Sequence, residues 1–69
     1  MLTFTQPIDK FIVKGYASKI GHSYKIYYNK KLVARSYVYY HNPDDCYKQM
    51  WADIEMLKNT PEEYYDNLA

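Results

Sequence analysis

One thiol, two imidazoles and a pair of adjacent carboxylates are the side chains best suited to bond-making chemistry: Cys46, His22, His41, Asp44 and Asp45. A nucleophilic cysteine needs a base at hand and a lowered pKa. Cys46 lies near an expected helix start, which favours the thiolate, but Asp44 and Asp45 oppose it and His41 stands five positions away, across the cap. A small buried hydrophobe is the simpler reading of Cys46. His22, His41 and Cys46 also lack the paired C-x-x-C or H-x-x-x-H spacing of a zinc site. No glycine-rich phosphate loop occurs, and Asp44–Asp45 reads as a helix-start device. The expectation is a chain that is not an enzyme and uses no metal or cofactor.

Tyrosine is the other notable resource. The chain holds ten among 69 residues, and the stretch RSYVYYHNPDDCY, Arg35 to Tyr47, contains four of them beside a basic residue. Some must serve the core in place of phenylalanine. Exposed rings interleaved with Lys and Arg are instead what interface anchors look like. Which tyrosine does which depends on the elements that carry them.

Alternating side chains from Lys10 to Lys19 predict a strand, with Gly15 as its bulge. Lys19 to His22 is a turn in which Gly21 supplies the difficult backbone angle. Further strands are expected at Ser23–Tyr28 and Leu32–Tyr40, and "LTFT" can add a short edge strand ended by Pro7. A three-residue loop at Asn29–Lys31 pairs Tyr28 with Leu32. One face then holds Tyr24, Ile26, Tyr28, Leu32, Ala34, Ser36, Val38 and Tyr40; the other holds Lys25, Tyr27, Val33, Arg35, Tyr37 and Tyr39. A two-residue loop would bring Arg35 and Tyr37 to the core side, and burying an unpaired charge costs far more than a loop's preference. The first strand extends the division, with Phe11, Val13 and Ala17 inward and Ile12, Lys14 and Tyr16 outward. Tyr24, Tyr28 and Tyr40 are the expected core rings. Lys14, Tyr16, Lys25, Tyr27, Arg35, Tyr37 and Tyr39 form the expected partner-binding face.

The covering helix is announced by Asn42 as N-cap, Pro43 at the first helical position and two acids in the first turn. Tyr47, Met50, Trp51, Ile54 and Leu57 recur at helical spacing, with Trp51 the expected core anchor and Asn59 the C′ residue. Thr60 to Glu63 repeats the start signal as a capping box, so a second short helix is expected over Pro61–Asn67. The expected architecture is α+β: one domain over residues 1–69, a three-stranded antiparallel meander under one helix, with a short C-terminal helix.

Length and charge narrow the function classes. A domain of this size buries about 60% of its unfolded surface, leaving little room for an internal substrate pocket. One cysteine excludes an intramolecular disulfide framework and fits a reducing, cytoplasmic setting. No signal peptide and no spanning run are expected. Net charge is +1, yet residues 1–41 carry +6 and residues 42–69 carry −5. Such asymmetry implies one basic and one acidic side, useful for steering a partner. Phe, Tyr, Met, Ile, Asn and Lys supply 32 of 69 residues, whereas Gly, Ala, Arg and Pro supply ten. These sets follow AT-rich and GC-rich codons, which points to an AT-rich genome: a low-GC bacterium, a phage or another mobile element.

The stretch from Tyr24 to Ile54 resembles the strand–strand–helix rhythm of AP2-type and integrase arm-binding DNA modules, whose helix opens with a signature like Asn42–Asp45 here. That resemblance implies a three-stranded sheet laid in the major groove of DNA. In size, composition and want of a catalytic motif the chain is also similar to small phage anti-defence proteins such as anti-CRISPRs. With one arginine, the chain lacks the usual tools for reading guanine. The leading expectation is therefore a phage-type inhibitor that binds a host protein or ribonucleoprotein machine. A DNA- or RNA-binding module and a homodimeric structural protein, both using the same face, are the alternatives.

Overall fold

The computed structural model describes residues 1–68. Four antiparallel strands follow one another as a meander: β1 (Leu2–Ile8), β2 (Phe11–Ser18), β3 (Gly21–Tyr28) and β4 (Lys31–Arg35). The helix α1 (Pro43–Lys58) covers one face, and a 3-10 helix (Glu62–Asn67) closes the chain's described part. The α+β class is as expected, but the sheet has four strands rather than three. Pro7 does not end the first strand; it pairs with Ile12 within β1. An edge strand can hold a proline because half of its amides point away from the ladder. Among the described residues, no helix is long and apolar enough to cross a membrane.

Two irregularities set which side chains face out. The bulge expected at Gly15 belongs instead to β1, where the register slips between Leu2 and Phe4 so that Thr3 is the extra residue. β2 itself pairs with β3 without a break, from Ile12↔Tyr27 to Ser18↔Gly21. Gly15 serves a different purpose, since its missing side chain makes room for the Phe4 ring, which lies directly over it. The expected phase of β2 therefore holds, with Phe11 and Val13 buried and Ile12 exposed.

The second irregularity corrects the β3–β4 hairpin. Its loop has two residues, not three: Asn29 and Lys30 both take positive φ (51° and 65°), and Tyr28 pairs with Lys31. Such a turn fits the twist of paired strands. The register then shifts between Ile26 and Tyr27, leaving Val33 as a bulge residue. Leu32 pairs with Tyr27 on the open side, and Val33 is fully buried, the reverse of the expected assignment. Past the bulge the phase recovers, so Lys25 pairs with Arg35 and the charge stays outside. The electrostatic demand is met by the bulge rather than by the loop.

The core joins Ile8, Phe11, Val13, Tyr24, Ile26, Val33 and Ala34 of the sheet to Cys46, Met50, Ile54 and Leu57 of α1, with Tyr65 from the tail. Asn42 caps α1 by accepting from the Asp44 amide at 2.8 Å, as expected. At the other end the Asn59 amide and side chain both donate to the Glu55 carbonyl. The buried stripe is Cys46–Met50–Ile54–Leu57; Tyr47 is exposed and Trp51 half-buried, so Trp51 is not the expected core anchor. The two rings instead meet edge-on at 6.1 Å along the flank of the helix. The capping box at Thr60 does not form, because its hydroxyl donates back to the Met56 carbonyl at 2.7 Å. The expected second helix is present as the 3-10 turn, fastened by Tyr65, whose hydroxyl donates to the Leu57 carbonyl at 3.0 Å.

Candidate partner-binding face

Strand pairing arranges the uncovered face in rows that cross the strands, because directly paired residues share a face. One row is apolar: Pro7, Ile12, Tyr27 and Leu32. Two residues along β1, β2 and β3, and three along β4 across its bulge, the next row is Thr5, Lys14, Lys25 and Arg35. A third begins with Leu2, Tyr16 and Ser23. The middle row therefore sets three cations side by side across β2, β3 and β4. Neighbouring strands are about 4.8 Å apart, and like charges placed directly opposite one another are destabilising.

Each cation leans on a ring. The Lys14 ammonium lies 5.2 Å from the Tyr27 ring centre, the Lys25 ammonium 5.4 Å from Tyr16, and the Arg35 guanidinium 5.3 Å from Tyr37. Such contacts are worth about 0.5–1 kcal/mol at exposed sites. Burial, with the Tyr16 hydroxyl close by, holds the Tyr27 phenol above its ordinary pKa. Among the described residues, no carboxylate forms an ion pair with any of the three cations.

β4 ends at Arg35, five residues short of the expected strand, and the chain leaves the sheet as an arch. Ser36 still pairs in place: its amide donates to the Tyr24 carbonyl, and its hydroxyl accepts from the Tyr24 amide. Pairing resumes only at Tyr40, which exchanges two backbone hydrogen bonds with His22 at 2.7 and 2.9 Å. Tyr37, Val38 and Tyr39 in between stand out at 75, 56 and 54% exposure. Val38, expected on the core side, is instead part of this arch. Gly21 permits the arch: it has φ of +138°, and a Cβ there would lie 2.7 Å from the Tyr40 carbonyl oxygen.

The arch bounds two hollows on the open side. One, of about 140 Å³, is lined by Lys25, Arg35, Ser36, Tyr37, Val38 and Tyr39, with Ser23 and Tyr24. The other, of about 230 Å³, is lined by Met1, Tyr16, Ala17, Ser18, Ser23, Lys25 and Tyr39. Five of the seven expected site residues thus converge around Tyr39, while Lys14 and Tyr27 lie farther along the sheet. Sequence reasoning omits Ile12, Leu32, Ser23 and Val38 from the site. Ile12 is already expected to point outward; Leu32 is hidden by the bulge and Val38 by the arch.

The opposite side of the protein has different duties. Tyr24 is buried and donates to Asp53, which also accepts from Gln49 at 3.2 Å. Tyr28 donates to Glu62 at 2.9 Å, and the same carboxylate pairs with Lys10 at 2.9 Å. Lys31 pairs with Asp66. The acidic tail is therefore bound to the turn end of the sheet, and the N-terminal segment is β1 at the edge; neither lies across the open face. Cys46 lines an apolar cleft of about 310 Å³ with Phe4, Tyr24, Tyr47 and His22. Burial pushes its thiol up from the ordinary value, the opposite of what a nucleophile needs.

No family model, curated protein or solved structure matches this chain.

Proposed function

We propose that the chain is a non-enzymatic binding protein that docks on a host macromolecular machine through its open sheet face and inhibits it, as a phage-encoded anti-defence protein would. The observation that carries the reading is the row Lys14–Lys25–Arg35, each cation seated on a tyrosine ring, on a face that neither end of the described chain covers. Exposed rings and cations cost stability or solubility unless something uses them. The arch adds three large side chains at the edge of two hollows, an arrangement suited to anchoring. The codon-linked composition supports the origin in an AT-rich mobile element.

A nucleic-acid module is the second reading, and the cation row is what favours it. Against it, one face of Tyr16, Tyr27 and Tyr37 is already taken by a cation, which leaves less ring for base stacking. Gel filtration with light scattering, followed by mobility shifts with duplex and single-stranded DNA at two salt concentrations, separates the readings. The protein-binding reading expects a monomer and weak shifts that vanish at physiological salt. A tight shift with a steep salt dependence would replace it with the nucleic-acid reading, and a stable dimer lost on Tyr37→Ala would replace it with the isologous one.

A further inference from the structure

From the three rows of the open face we infer the chemistry of the partner: the element that docks there is an acidic amphipathic helix, laid across the strands with its carboxylate stripe on Lys14, Lys25 and Arg35. The inference rests on the reading of this face as a binding face and adds what binds it. Charge comes first. The row holds three cations and, among the described residues, no carboxylate pairs with them. Two of the three acids of the tail are engaged elsewhere, Glu62 by Lys10 and Tyr28 and Asp66 by Lys31. The cations therefore present an unneutralised line to solvent, complementary to a line of anions.

Spacing selects the helix. Cations on adjacent strands sit about 4.8 Å apart. Side chains at i and i+4 of a helix sit about 5–6 Å apart at Cβ, close to that repeat, so successive carboxylates meet successive cations. An extended acidic strand running the same way repeats each face at about 6.6–6.8 Å and falls out of step across the row. The flanks agree. On one side of the cations, two residues along β2 and β3 and three along the bulged β4, lie Ile12, Tyr27 and Leu32; on the other lie Tyr16 and the arch with Tyr37 and Tyr39. A helix whose acidic stripe is bordered by apolar residues would place those residues on both flanks. Tyr39, between its two hollows, is the stop at the helix edge.

The test is a titration of the isotope-labelled full chain, followed by amide NMR shifts, with three probes. The first is an 18-residue helical peptide with glutamate at i, i+4 and i+7 bordered by leucine; the second replaces each glutamate with glutamine; the third is an oligothymidylate of matched length. The expected result is that the glutamate peptide shifts the amides of Lys14, Lys25, Arg35 and the arch. The glutamine peptide should bind about tenfold more weakly, as three solvent-facing ion pairs at about twofold each require. Lys25→Glu, at an exposed position, should abolish the preference for the glutamate peptide while leaving the fold's spectrum intact. Equal binding of the two peptides would overturn the inference while leaving the binding face standing. Shifts of the face by the oligonucleotide alone would overturn it in favour of a nucleic-acid partner. No shift of the face by any probe, or shifts confined to the helix side, would overturn it as well.

Discussion

Gly15→Ala is the most informative single change to the scaffold, because its sign depends on one neighbour. A Cβ built at Gly15 falls within 2.6 Å of three ring carbons of Phe4, Cδ1, Cε1 and Cζ. Carbon atoms pack at about 3.5–4.0 Å, so the ring must move by about 1 Å or more. Phe4 is half-buried and packs edge-on against Tyr47 at 6.4 Å, a contact worth about 0.5–1.5 kcal/mol. Losing half of a phenylalanine's burial adds about 1 kcal/mol. Replacing glycine within a strand returns about 0.5–1 kcal/mol through reduced chain entropy. The balance is a net loss of about 1 kcal/mol in the wild type. In a Phe4→Ala background the clash is gone, and Gly15→Ala should stabilise by about 0.5–1 kcal/mol. Urea unfolding of the four proteins, followed by circular dichroism, gives the coupling directly, and about 1.5–2 kcal/mol is expected. An equal destabilisation in both backgrounds would refute the reasoning, since the cost would then reside in the backbone at Gly15 and not in the ring above it.

Two further outcomes follow from the register and from the tail. Val33→Ala should cost about 2 kcal/mol and Leu32→Ala about 1 kcal/mol or less in the same unfolding assay, because the bulge fully buries the first and leaves the second half-buried on the open side; the reverse order would restore the three-residue loop. The Lys10 ammonium and the Tyr28 hydroxyl hold the Glu62 carboxyl below the usual range, and Lys10 is pushed up to about 12, chiefly by its hydrogen bond to Glu62. A depressed folded-state pKa contributes stability that is present above the unfolded value and lost as pH falls through the folded one. Urea midpoints compared at pH 7 and pH 3 should thus fall more for the wild type than for Glu62→Gln, and an equal fall would dissociate the tail from this pair.

Local signals carry much of the fold. Asn42, Pro43, Asp44 and Asp45 announce the helix start, since caps and first-turn charges act within a few residues. Gly21 announces its turn. The first strand is longer than its sequence suggests because Pro7 reads as a terminator unless the strand is known to lie at an edge, which is a tertiary fact. A pattern in the sequence does mark it: turns at Asp9–Lys10, Lys19–Ile20 and Asn29–Lys30 recur every ten residues, the rhythm of a regular meander. Leu32 and Val33 exchange faces because a bulge is decided by the competition between turn twist and charge burial, not by either residue's own type. Trp51 suggests itself as the anchor by size, whereas the α1 stripe is centred one position earlier, on Cys46 and Met50. All seven expected site residues are nonetheless on the open side or in the arch, because the demand to keep Lys25 and Arg35 out of the core survives both irregularities.

The central claim, that the arch and open face bind rather than fold, is tested most directly on Tyr37→Ala/Tyr39→Ala. The measurement is isothermal titration of this double variant against the protein that the wild type retains from a host lysate, with a thermal melt of the same samples alongside. The expected result is an affinity loss of at least about 30-fold, or about 2 kcal/mol, with the melting temperature within a few degrees of wild type. Lys25→Ala should cost only a few-fold, as an exposed charge does. Unchanged affinity of the double variant, or a collapse of its melting temperature, would contradict the claim.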